Sequence, residues 1–181
     1  MPTRITPSSD PVATSPRHRP RCYIASPLGF NEAGRHYYQA VFLPALAHVV
    51  TPVDPWSLTP TTEIDEAREA GKLGELVLDM GRRNTAAIRS SSLLVAWLDG
   101  QEPDSGTVAE LGYAAALGMP CFGLRSDLRQ TGEEGATVNL QVEAFVADSG
   151  GRIVASLEAL VAELRLVVDD VLAASDGVGD Q

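Results

Sequence analysis

The stretch that decides the fold is "SLLVAWLDGQEPDSGTVAELGYAAALG", residues 92–118. It opens with a continuous apolar run, which is typical of a strand buried on both faces of a parallel sheet. An acidic loop with Asp99, Glu102 and Asp104 follows, and residues 106–118 then show the apolar spacing of a helix that a glycine terminates. The segment therefore predicts a strand, a polar loop and a helix in succession, which is the repeating unit of an α/β fold.

The same alternation extends to both sides of this segment. Apolar runs predict further strands at residues 22–26, 49–54, 120–125 and 142–147. Helical spacing predicts helices over residues 32–49, 63–91 (interrupted near the glycines at 71 and 74) and 154–174. Because strands joined through helices pair in parallel, we predict an α/β fold of the flavodoxin/Rossmann-like type. It is a doubly wound parallel sheet of about five strands, flanked by helices.

The chain length predicts one domain. Residues 1–20 are rich in Pro, Ser and Thr and predict a disordered N-terminal tail, residues 21–174 the folded domain, and residues 175–181 a frayed C-terminus. Cys22 and Cys121 each lie inside an apolar run, which favours buried free thiols in a reducing compartment. We therefore expect a cytoplasmic protein.

The formal net charge is −10, and the first 21 residues hold four arginines against one aspartate, so the acidity lies in the rest of the chain. An acidic body repels nucleic-acid backbones and anionic membranes. No apolar run is long enough to span a bilayer, no secretory signal is expected, and the scattered histidines and cysteines predict no metal site. These features favour small, neutral or weakly charged ligands and no cofactor.

The acidic junction lies where such a sheet binds its ligands, beyond the carboxyl ends of the strands. Asp104 precedes Glu110 by six residues, so two carboxyl groups are expected to converge on one small ligand. The positive end of the helix dipole favours an ionised Glu110, and Gly106 and Gly112, which carry no side chain, leave room for a ligand beside it.

A structural alternative uses the same residues. Thr107-Val-Ala-Glu110 matches the capping box, in which Glu110 reaches back to the Thr107 amide and has no chemical role. A retaining glycosyl-transfer site instead needs an ionised carboxylate to attack the anomeric carbon and an acid to protonate the leaving group. Spacing alone leaves both interpretations open.

The chain resembles the nucleoside 2-deoxyribosyltransferase family over roughly residues 22–153. The blocks that carry the resemblance are "YIASPLGFNEAG", "VDPW", "LLVAWLDG", "DSGTVAELGYAAALGMP", "GLRSDLRQTG" and "VNLQVE", in that order. The resemblance implies that Glu110 attacks C1′ of a deoxynucleoside, that the base leaves, and that a second base attacks the deoxyribosyl-enzyme. It implies that Asp104 binds the base and moves its proton.

Three further positions follow from the resemblance. Tyr23 matches a tyrosine that orients the nucleophile, with a plain core aromatic as the alternative. Asn84 falls where some members have an aspartate that touches the base, but an amide cannot transfer a proton. Asn139 matches a residue that a neighbouring subunit supplies in some members; the alternative is a turn asparagine before the last strand.

The remaining candidates line the predicted ligand edge. Ser26, Pro27 and Gly29 shape the loop after the first strand. Trp56 is a candidate to stack on the base, with ordinary packing as the alternative. Asp99 is a candidate to hydrogen-bond substrate, with capping of its own loop as the alternative.

Rival functions remain open at this point. A related N-glycosidase would hydrolyse nucleosides or nucleoside 5′-monophosphates, and a non-catalytic sensor would only bind a nucleotide ligand. The cluster of Arg125, Asp127 and Arg129 predicts either a phosphate site or surface ion pairs. The loop before Arg35 contains no basic residue, which favours a nucleoside over a nucleotide.

The last predicted helix bears on assembly. Its apolar face is broad, and one sheet is not expected to cover all of it. The resemblance adds that family members associate, with a neighbour completing each site. We therefore predict a homodimer or a higher homo-oligomer, with Asn139 near the partner's Glu110 pocket.

Overall fold

The computed structural model describes residues 19–176, with side chains to residue 169. The predicted tail and frayed end lie outside the described residues, apart from residues 19–20 and 175–176. The Pro20 carbonyl accepts a hydrogen bond from the Thr51 amide at 2.8 Å, and the last helix ends at Asp176.

One parallel sheet forms the centre of the molecule. Its strands are β1 (Arg21–Ala25), β2 (Thr51–Val53), β3 (Leu93–Trp97), β4 (Cys121–Leu124) and β5 (Ile153–Val154). They lie in the order β2-β1-β3-β4-β5, and each adjacent pair is parallel. Because the winding direction reverses between β1 and β3, a crevice opens there at the carboxyl edge. The predicted doubly wound α/β fold is confirmed.

Helices cover both faces of this sheet. They are α1 (Glu32–Tyr37), α2 (Leu43–Ala47), α3 (Thr61–Glu69), α4 (Leu73–Arg89), α5 (Ser105–Ala116), α6 (Leu140–Asp148) and α7 (Leu157–Asp176). A π-helical segment, Tyr38–Phe42, joins α1 to α2, whose second residue is Pro44 and has no amide hydrogen to donate to the preceding turn. No helix in the described part of the chain is both long and apolar enough to cross a membrane.

The prediction of a strand at residues 142–147 is wrong, because these residues lie within α6. Val142 and Val146 are buried one helical turn apart on the inner face of that helix. A short apolar run fits a buried helix as well as a strand, so its spacing misled the prediction. The fifth strand is instead Ile153–Val154, a half-buried edge pair too short to form an apolar run.

The core has two layers, one on each face of the sheet. Leu94 and Ala96 of β3 face α4, α5 and α6, whereas Leu93 and Val95 face the π-helical segment, α2 and α7. Cys22 and Cys121 are buried and unpaired in this core. The ends of β1 and β3 thus lie in the packed core, beside the crevice.

The described inner face of α7 packs on this sheet. Its buried members are Leu160, Leu164 and Val168, while Leu157, Val161 and Val167 are partly buried in the same layer. The sheet therefore covers more of this apolar face than its breadth suggested, and oligomerisation stays a prediction.

Candidate active site

A cavity of about 260 Å³ opens at the carboxyl edge of the sheet. The loops after β1 and β2, the middle of α4 and the start of α5 all contribute to its wall. Its lining residues are Ser26, Phe30, Pro55, Trp56, Thr59, Met80, Asn84, Asp104, Gly106, Thr107 and Glu110. The fold thus brings five sequence-predicted candidates together with Glu110: Ser26, Trp56, Asn84, Asp104 and Gly106.

Glu110 is held by one of its two carboxylate oxygens. Oε1 accepts hydrogen bonds from the Tyr23 hydroxyl at 2.6 Å and from the Asn84 amide nitrogen at 3.2 Å. No protein atom among the described residues donates to Oε2. One oxygen is therefore anchored, while the other remains open to chemistry.

The surroundings of Glu110 raise its pKa above the usual value for glutamate. Burial is the largest cause, the hydrogen bonds from Tyr23 and Asn84 oppose it, and the charge of Asp104 adds to it. We expected the helix dipole to govern this carboxyl, but Glu110 lies beyond the first turn of α5, where that effect fades. Burial also raises the pKa of Tyr23, so the tyrosine keeps the proton that it donates.

Asp104, not Thr107, caps α5. Its Oδ2 accepts hydrogen bonds from the Thr107 amide at 2.9 Å and from the Thr107 hydroxyl at 3.1 Å. The helix therefore begins at Ser105, and the capping-box interpretation of Glu110 is wrong. Only Oδ2 takes part in these bonds, so Asp104, like Glu110, keeps one oxygen free of the described protein groups.

An aromatic pair forms the lip of the cavity. The Trp56 indole N–H donates to the Ser26 carbonyl at 3.2 Å, and Phe30 meets the Trp56 ring edge-on with 4.7 Å between centroids. A Cβ at Gly29 would lie 2.2 Å from the Trp56 ring, so only glycine allows this packing. Pro27 is not part of the lining and instead starts the short 3₁₀ turn that Ser26 caps.

Sequence reasoning missed Phe30, Thr59 and Met80. Met80 lies one turn before Asn84 on α4, so the helical period was the available signal for it. Phe30 directly follows Gly29 of the predicted ligand loop, so its position in the chain was the available signal for it. Gly112, which the sequence suggested beside Glu110, faces Phe145 of α6 instead.

Asp99 and Asn139 do not line the cavity. Asp99 accepts hydrogen bonds from the Ser126 and Asp127 amides at 2.6 and 2.9 Å, which are the contacts of a loop cap rather than of a substrate ligand. Asn139 caps α6 by accepting from the Gln141 amide at 3.0 Å. It therefore precedes a helix, and the alternative of a turn before the last strand is wrong.

Arg125 organises the loops beside the cavity. Its guanidinium is 3% exposed and donates to the carbonyls of Leu98, Gly100 and Arg129. This burial within the protein argues against both predicted roles of Arg125, as a phosphate ligand and as a surface ion-pair partner. Arg129 does pair with Asp127, as the surface alternative predicted.

The cavity carries two carboxyl groups and no basic side chain among its lining residues. Such a wall suits a neutral ligand with polar edges better than an anion. Among the described residues, no group of three or more His, Cys, Asp or Glu side chains is placed to hold a metal ion.

Comparison with known families decides the assignment. The sequence model of the nucleoside 2-deoxyribosyltransferases matches residues 22–154, most of the chain. The chain belongs to the nucleoside 2-deoxyribosyltransferase family. It is accordingly a transferase, and the family's substrates are nucleosides and nucleobases. Among curated proteins, none matches the chain significantly.

This member of the deoxyribosyltransferase family shares its fold with solved structures, among them the following two. A conserved protein from Enterococcus faecalis V583 superposes with a TM-score of 0.58 at 24% identity, covering 82% of this chain and 98% of its own. The 2-deoxyribosyltransferase from Bacillus psychrosaccharolyticus superposes with a TM-score of 0.57 at 21% identity, covering 78% of this chain and 90% of its own. At identities of 24% and 21%, the likeness to these two structures shows a shared fold alone.

Proposed function

We propose that this chain transfers a 2-deoxyribosyl group between nucleobases through a covalent glycosyl-enzyme on Glu110. The observation that carries the proposal is the Glu110 carboxylate, anchored by Oε1 and open at Oε2 in a cavity that Asp104 also lines. A retaining transfer needs this combination of a carboxylate nucleophile and a proton-transferring partner.

In the first step Oε2 of Glu110 attacks C1′ of the deoxynucleoside. The bond from C1′ to the base nitrogen breaks, its electron pair leaves with the base, and Asp104 supplies a proton to the base. Tyr23 and Asn84 remain on Oε1 throughout, so the carboxylate keeps its orientation while the ester forms at the other oxygen.

In the second step a nitrogen of the incoming base attacks C1′ of the glycosyl ester. The bond from C1′ to the glutamate oxygen breaks, its electron pair returns to Glu110, and the proton lost by the base restores Asp104. Two inversions at C1′ give net retention, and the enzyme returns to its starting state.

The walls support a nucleoside as substrate. Trp56 lines the cavity with its ring partly exposed, and base-to-aromatic stacking is a general means of holding a nucleobase. The absence of basic residues from the lining favours a nucleoside over a nucleotide, whose phosphate would meet two carboxyl groups.

Incubation with deoxyinosine and adenine tests the proposed reaction. New deoxyadenosine supports transfer. Free deoxyribose with hypoxanthine would show a hydrolase instead, and binding without conversion would show a sensor. Either of the last two results would overturn the proposed function.

Replacement of the nucleophile tests the mechanism. Glu110→Ala should lower turnover by orders of magnitude and abolish the glycosyl adduct that mass spectrometry detects on quenched wild-type enzyme. The fold should persist, since Glu110 caps nothing. Glu102→Ala is the matched control, because Glu102 is exposed in the same acidic loop and outside the cavity lining. If turnover of Glu110→Ala is near that of the control, the proposed mechanism is contradicted.

A further inference from the structure

Asn84 contacts the glutamate that we propose as nucleophile. Its side-chain amide reaches from α4 to Oε1 of Glu110, the same oxygen that Tyr23 binds from β1. The sequence comparison pointed to a base contact at this position. Among the residues that the structure describes, the Asn84 side chain donates its hydrogen bond to the carboxylate of Glu110.

We propose that Asn84 is a positioning residue that, together with Tyr23, locks Oε1 of Glu110 and so makes Oε2 the attacking oxygen. The inference rests on the proposed nucleophilic role of Glu110. It goes beyond that role by assigning a function to each oxygen and by moving Asn84 from base recognition to alignment of the nucleophile.

The chemistry of an amide suits this task. The terminal torsion of a glutamate is broad, so a carboxylate bound by one donor can still rotate, whereas two donors on one oxygen define its plane. The two donors come from different elements, because Tyr23 is fully buried in β1 and Asn84 lies on α4. An amide also cannot protonate the nucleophile, whereas an aspartic acid at this position could.

The contribution of Asn84 to the Glu110 pKa depends on the other charged and titratable groups that face Glu110. They are Tyr23 from β1 and Asp104 from the loop before α5, and Asp54 acts on Tyr23 in turn. Asn84 lowers the pKa of Glu110 by supporting its ionised form. Removing the amide should therefore raise that pKa, because burial and Asp104 then act with less opposition.

The test compares Asn84→Ala and Asn84→Asp with Thr85→Ala. Thr85 is the next residue on α4, bonds the Gly81 carbonyl within its own helix and does not line the cavity. The readout is the rate of base release from several deoxynucleosides in single-turnover experiments across pH. The acid limb is the part of this pH–rate profile in which the rate falls as Glu110 becomes protonated. We expect Asn84→Ala to move this limb to higher pH by about one pH unit. At pH values below the limb, release of every base should be at least about tenfold slower. Asn84→Asp should move the acid limb to higher pH at least as far, and Thr85→Ala should have the pH–rate profile of the wild type.

A contrary pattern would reassign Asn84. If the acid limb stays in place and only the KM values of particular bases change, Asn84 is a base contact and the inference is overturned. An NMR titration with carboxyl-labelled glutamate supplies a readout independent of turnover, because the Glu110 signal is identified by its loss in Glu110→Gln. An unchanged Glu110 pKa in Asn84→Ala would refute the positioning role of Asn84 and leave the proposed function intact. An active Glu110→Ala would instead refute the proposed function on which that role rests.

Discussion

At the scale of single residues, Glu110 and Asp104 share one arrangement. Each commits one carboxylate oxygen to neighbouring protein groups, which fixes its direction, and keeps the other free of the described donors. Anchoring a reactive group in advance removes motions that would otherwise have to be frozen at the transition state. The arrangement also separates the structural role of each residue from its chemical one.

Two substitutions of Asp104 exploit that separation. Asp104→Asn keeps an acceptor for the Thr107 amide, so α5 should remain capped while proton transfer is lost, and base exchange should fall about 10²–10⁴-fold. Asp104→Ala should lose the same activity and also about 1 kcal/mol of unfolding free energy, because the cap is removed. Steady-state exchange rates and urea unfolding measure the two effects. A loss of under about tenfold in Asp104→Asn would make Asp104 a binding residue.

Glu110→Gln tests the cost of holding a carboxylate in this cavity. The folded-state pKa of Glu110 is raised above its unfolded value, so folding favours the protonated form, and that stability is lost as pH rises through the raised pKa. Near about pH 4 the wild type and Glu110→Gln should unfold at similar urea concentrations. At neutral pH the variant should be the more stable, since glutamine offers the same acceptor without charge. A less stable variant at neutral pH would contradict the raised pKa.

At the scale of elements, the loops after β3 and β4 are fastened to each other. Asp99 accepts from the amides of residues 126 and 127, Asp127 accepts from the Gly100 amide at 3.2 Å, and Arg125 bridges the carbonyls behind them. These contacts hold the loop that leads to Asp104. The acidic junction therefore contains two kinds of carboxylate, those that build the loop and those that face the cavity.

Replacing the buried arginine should loosen this fastening. Arg125→Met would leave the Leu98, Gly100 and Arg129 carbonyls without their donor, which should lower the unfolding free energy by about 2–3 kcal/mol. Arg129→Met is the matched control, because Arg129 is 63% exposed in a surface ion pair and its replacement should leave the unfolding free energy close to that of the wild type. Urea unfolding of both variants decides the comparison, and equal losses would show that Arg125 does not fasten the loops.

At the scale of the whole molecule, we propose at least a homodimer in which Asn139 reaches the partner's Glu110 cavity. In its own chain Asn139 caps α6 and does not line the cavity, which leaves a role across an interface open.

Co-expression of two inactive variants tests the shared site. Asn139→Ser retains a capping side chain but removes the amide, and we pair it with Glu110→Ala. In a mixed dimer, one of the two sites then combines an intact Glu110 with an intact Asn139, so activity should reappear that neither variant shows alone. Light scattering on the wild type gives the assembly size. An active monomer of about 19 kDa would exclude shared sites.

The sequence by itself determined the strand–helix alternation and most of the elements, although not α6 or β5. The apolar runs of β1, β3 and β4 and the glycine break between α3 and α4 act within a few residues, and they placed these elements correctly. Family motifs likewise pointed to Glu110 and Asp104. Such signals are readable because propensity, periodicity and turn chemistry are local.

Only the tertiary structure decided what each side chain bonds. Glu110 meets Tyr23 across 87 residues and Asn84 across 26, distances at which no spacing rule operates. Asp104 and Thr107 are both acceptable helix caps by sequence, and the structure selects Asp104. The physical reason is that local patterns fix which conformations a segment favours, whereas the packing of the whole chain fixes which partners those conformations meet.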